Sequence, residues 1–116
     1  MSLIVHHAII VTSWDDMLLS ELAGVASGLG AIVSGPSTQG VNGYRTLTIC
    51  PDGSKEGWDD SINGDARRAQ IKTWMDTKRY DDRSCALEWV EVAYGNDLRP
   101  TGPYIVDSET LQRGDT

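Results

Sequence analysis

Residues 42–58, NGYRTLTICPDGSKEGW, decide the fold. Tyr44, Thr46 and Thr48 alternate with Arg45, Leu47 and Ile49, the period of two that gives a strand one buried face. β-branched side chains and an aromatic suit a pleated, half-buried surface. Asn42-Gly43 in front and Pro51-Asp52-Gly53 behind are turn residues that stop a strand. Residues 44–50 are therefore predicted to form an inner strand.

Upstream, residues 3–11, LIVHHAIIV, form a nearly continuous apolar run, as a central strand requires. Ser13 then reads as a helix N-cap, with Asp15 and Asp16 near the positive end of the helix dipole. Leu18, Leu22, Val25, Ala26 and Leu29 follow at helical spacing, and Gly28 and Gly30 can close the helix. Residues 31–34 read as a short strand and residues 35–43 as a polar loop, long for a hairpin. Downstream of the 44–50 strand, residues 51–64 form an acidic loop. A second helix is predicted from residues 63–65 to about Arg79, with Ile71, Trp74, Met75 and Lys78 on one face. Residues 87–94, LEWVEVAY, alternate again. Val90 and Val92 are expected to face the core, and Trp89 and Glu91 the other way.

The order β-α-β-β-α-β folds most economically as an α+β, ferredoxin-like two-layer sandwich. Its antiparallel sheet would have strand order 4-1-3-2, with both helices on one face. Residues 1–95 are read as a single domain and residues 96–116 as an extended C-terminal tail, in which residues 104–106 could dock as an edge strand. Cys50 and Cys85 fall on strands separated by the first strand, so no disulfide is expected between them.

A chain of 116 residues is one domain by length. Its net charge of −7 and isoelectric point near 4.6 disfavour direct nucleic-acid binding, which needs clustered Lys and Arg. The same charge favours basic partners, including proteins whose own basic grooves hold nucleic acid. No run approaches the roughly 20 apolar residues of a membrane span, and residues 4–11 lack the basic flank of a secretory leader. A cytoplasmic protein with reduced thiols is expected.

His6 and His7 must point to opposite sides of their strand, so they cannot chelate one metal together. One would lie under the helices and the other on the open sheet face, where a general base is conceivable but a hydrogen-bonded structural role is more common. Residues 59–64, DDSING, resemble the start of a calcium loop, but the twelfth position is Gln70 rather than a bidentate glutamate. No phosphate loop, nucleophile elbow or catalytic thiol motif is present, so no catalytic residue, metal site or cofactor is assigned. RNA-recognition sheets carry stacking aromatics, whereas Tyr44 stands alone here. Arg45 falls on the core-side parity and needs a partner such as Asp52 or Glu56, an anion site being the sharper alternative. The candidate binding residues are thus His6, His7, Tyr44, Arg45, Trp89 and Glu91, most of them on an open sheet face that a tail, a partner or a second copy should cover.

At NGYRT, PDGSKEGW, GDARR and WVEVAYG the chain resembles small accessory proteins of unknown function encoded by phages and prophages, over most of residues 3–96. That resemblance brings no catalytic residues. It implies a cytoplasmic protein that binds a host protein complex, such as an antiviral defence system or another nucleic-acid-binding assembly. The alternative is a homodimer whose open faces enclose a small-molecule or catalytic site around His6 or His7 and Glu91.

Overall fold

The computed structural model describes residues 4–55, 57–95 and 102–109. The elements are β1 (His6–Ser13), α1 (Asp16–Gly28), β2 (Ile32–Ser34), β3 (Arg45–Cys50), α2 (Asp59–Thr77), β4 (Glu88–Tyr94) and β5 (Tyr104–Ser108). They build one five-stranded antiparallel sheet of order β2-β3-β1-β4-β5. This overturns the expected four-stranded ferredoxin-like sandwich of order 4-1-3-2. The physical reason is the outer edge of β4, whose backbone donors and acceptors need a partner. Ile105 and Val106, with strong β propensity, supply it, and the segment read as part of a tail becomes β5. The rest of that tail, residues 96–101 and 110–116, lies outside the described residues.

β3 is an inner strand, paired with β2 on one side and β1 on the other. Leu47 and Ile49 point to the helix side, opposite Val11 and Ile9 of β1. Both helices cover this face: Leu19, Leu22 and Ala26 of α1 and Ile71 and Met75 of α2 close over it in one cluster. Each fully buried Leu or Ile contributes roughly 1.5–3 kcal/mol of transfer free energy. Gly35 ends β2 at φ +103°, and a Cβ there would sit 2.8 Å from the Thr46 carbonyl oxygen. The 35–43 loop folds back on β3 at that point, with Ser37 N–H donating to the Thr46 carbonyl.

β4 presents the opposite parity to that expected. Leu87, Trp89, Glu91 and Ala93 face the helices, while Val90 and Val92 face away. An inward Trp and Leu remove more apolar area from water than two valines. The one inward carboxylate is tolerated because cations reach it from α2.

The helix ends also shift. Asp15, not Ser13, caps α1, its Oδ1 accepting from Leu18 N–H at 3.0 Å. Ser13 is instead the buried last residue of β1, its Oγ accepting from Asp15 N–H. The buried stripe of α1 runs through Leu19 rather than Leu18, and Leu29 is exposed. α2 begins at Asp59, so the DDSING stretch is helical and cannot wrap a calcium ion as a loop. Asp59 and Asp60 instead favour the helix N-terminus. Cys50 and Cys85 are free thiols.

Candidate functional site

The six residues singled out from the sequence do not form one site. His6 and His7 lie on opposite faces of β1, as strand alternation requires. His6 is on the uncovered face, its ring 5.3 Å from that of Tyr94. Tyr44 is half-buried in the turn before β3. Arg45 starts β3 opposite Ser13, and its Nε lies 3.2 Å from Asp16 Oδ1 at the first residue of α1. The partner expected in the 51–64 loop is therefore replaced by a helix N-terminus; Asp52 engages Arg67 instead, and Glu56 lies outside the described residues. Trp89 is a core residue.

The structure does bring His7 and Glu91 together, but under the helices rather than on the open face. Glu91 sits mid-β4, opposite Ile9 and Asp107, and is 3% exposed. Its Oε1 accepts a hydrogen bond from Lys72 Nζ at 2.6 Å. Its Oε2 lies 3.2 Å from Arg68 Nε and 3.7 Å from His7 Nδ1. Arg68 also pairs with Asp65 one turn earlier, and Lys72 Nζ lies 3.5 Å from Asp107 Oδ2. Removing a carboxylate from water costs several kcal/mol, which only close, well-directed cations offset. With both oxygens engaged, Glu91 is an anchor between α2 and the sheet rather than a base poised for proton transfer. Among the described residues, no group of three or more His, Cys, Asp or Glu is arranged to hold a metal ion.

A second constellation forms where α1 begins and α2 ends. Trp14, Met17 and Tyr80 are 53%, 83% and 42% exposed. The Trp14 and Tyr80 rings stack at 6.3 Å with 27° between their planes. Tyr80 Oη donates to Asp15 Oδ2 at 2.8 Å, so the residue that caps α1 also holds the phenol. This bond, with a smaller effect of burial, pushes the phenol pKa above its ordinary value of 10.0. The turn that carries Tyr80 is itself braced. Arg83 N–H donates to the Tyr80 carbonyl, and Asp82 accepts from both the hydroxyl and the N–H of Ser84, which holds the Asp82 carboxyl below the usual range. A recess of about 340 Å³ beside the rings is lined by Met17, Leu18, Glu21, Lys78, Arg79 and Tyr80.

Arg68 and Lys72 belong to no motif in the sequence. Their spacing of four, beside the Ile71–Met75 stripe, was the available signal. For Trp14 the signal was an aromatic left on a helix start with no place in the apolar stripe. Its stacking partner, Tyr80, had none. No protein family, curated protein or solved structure matches the chain.

Proposed function

We propose that this chain is a protein-binding accessory factor that presents the Trp14–Met17–Tyr80 corner to a host protein complex. The observation that carries this is the exposure of those three side chains on a pre-positioned stack. Trp, Tyr and Arg dominate the energetics of protein interfaces, and here Arg79 borders the aromatic pair. Rings already held by the Asp15 bond lose less freedom on binding than mobile ones. The net charge of −7 steers the molecule toward a basic partner, such as a defence or other nucleic-acid-binding complex, whose own ligand it would displace. The likeness to phage-encoded accessory proteins supports the same reading and implies action in the cytoplasm. No helix among the described residues is long and apolar enough to cross a membrane.

The second reading, a small-molecule or catalytic role, is favoured by an open groove of about 520 Å³ between α2 and β5, lined by Ala69, Lys72, Thr73, Asp76 and Asp107. It is the weaker one, because Glu91 and Asp107 already engage the Lys72 amine.

Affinity capture from host lysate tests the proposal. Wild-type protein should retain a specific partner that the Trp14→Ala, Tyr80→Ala double variant loses, with circular dichroism showing both folded. Hot-spot truncations cost about 2 kcal/mol or more each, enough to reduce capture more than tenfold. Equal capture by both proteins, or none by either, sinks it.

A further inference from the structure

Among the described residues, no element packs over the face of the sheet turned away from the helices. Ile10, Val90 and Val92 form its centre, and Ile32 and Ile105 its two margins. Ile10, Ile32 and Ile105 are all exposed. Among the described residues, the register leaves one carboxylate on this face, Glu88, and one imidazole, His6. They sit at opposite ends: His6 pairs with Tyr94 at one end of β1, and Glu88 with Thr12 at the other.

We infer that this face pairs with the same face of a second copy of the chain, about a two-fold axis running across the strands. Charge selects that occupant. With a net charge of −7, two copies repel over most of their surfaces, and this nearly neutral face is where they approach at least electrostatic cost. A basic partner would find only Glu88 to complement it. Symmetry supplies the second argument. Stacked sheets keep their strands within about 30° of one another. An axis across the strands lays β1 over β1 of the second copy with its direction reversed. The His6–Tyr94 row of one copy then faces the Thr12–Glu88 row of the other, so each imidazole comes within about one strand spacing, roughly 4.8 Å sideways, of a Glu88 carboxylate. A face that matches itself under rotation is what a two-fold dimer requires.

Size sets the strength. Five strands at about 4.8 Å and six residues at about 3.4 Å give roughly 24 × 20 Å, or about 1,000 Å² over two copies. That lies near the lower limit of about 1,000 Å² for a specific interface, so the dimer is expected to be concentration-dependent. The inference is independent of the Trp14 corner, which lies on the helical layer and stays free in such a dimer.

Sedimentation equilibrium of the full chain over a range from about 1 µM to 1 mM tests it. The mass should rise from that of the 12.7 kDa chain to twice that value. His6→Glu places two carboxylates together and should weaken the dimer roughly tenfold, Glu88→Lys should weaken it too, and the double variant should recover. Ile10→Glu should abolish it. Cys50, half-buried on this face, should alkylate more slowly as concentration rises, while Cys85 is buried throughout. A monomer across the range overturns the inference. So does a dimer indifferent to Ile10→Glu and His6→Glu, or a failure of the double variant to recover. Both charge variants change exposed or half-exposed positions, so circular dichroism should show them folded.

Discussion

The two faces of this sheet are built from alternate residues of the same strands, yet they behave in opposite ways. On β4 the covered face holds Trp89 and Glu91, and the uncovered face holds Val90 and Val92. A carboxylate is thus sealed away while two valines are left half-exposed. Side-chain polarity alone would have reversed them. What separates the faces is reach: Arg68 and Lys72 extend from α2 to Glu91, and nothing among the described residues extends over Val90. Burial of a charge depends on partners supplied from elsewhere in the chain, whereas burial of an apolar group depends only on something lying above it.

The largest effect that could break this contrast is on Glu91. Glu91→Ala should cost about 3–5 kcal/mol in urea unfolding, because it takes the buried partner from two cations beside a core and leaves them only the more exposed Asp65 and Asp107. Val90→Ala, one residue along but uncovered, should cost well under half as much at concentrations where the chain is a monomer. Equal losses would mean that the two faces are not distinguished by cover. Replacing Glu91, Arg68 and Lys72 together with Leu, Met and Met should recover most of the loss, as an apolar contact needs no desolvated charge. A smaller effect is expected at the rim of the helical layer. Asp15→Ala removes the α1 cap and should cost about 1 kcal/mol, with stronger quenching of Trp14 fluorescence by an added quencher as the Tyr80 stack loosens. The smallest is a pH effect at the same point. The Tyr80 pKa is raised in the folded state, so the Asp15 bond favours folding below the ordinary phenol pKa of 10.0 and is lost as pH rises through the folded value. Ultraviolet titration should show one phenol ionising late in wild type and moving earlier in Asp15→Asn. An unchanged titration would remove the bond from the account.

Much of the sheet was legible because local rules suffice for it. The alternation of residues 44–50 between two turns marks an inner strand without reference to anything else. The separation of His6 from His7 follows from the strand period alone. The β4 parity was not legible. Both of its faces contain two large apolar residues, one of them counting Leu87 just ahead of the strand, and the choice depends on cations about 20 residues earlier in the chain. The start of α2 was hidden for another reason: DDSING has turn composition, and only its place ahead of a buried stripe makes it helical. For β5 the sequence offered residues 104–106 as an edge strand but did not fix it, because its partner is an edge that exists only once the other four strands have assembled.

The chain by itself determines its periodicities: which segments extend, where turns interrupt them, and that neighbouring strand residues face apart. These are set by backbone sterics and nearest neighbours, which any stretch carries with it. Only the tertiary structure decides which face each strand turns inward, that Glu91 is anchored by Arg68 and Lys72, and that Trp14 stacks on Tyr80. Those outcomes rest on contacts between residues far apart in sequence, and such contacts have no local signature to read.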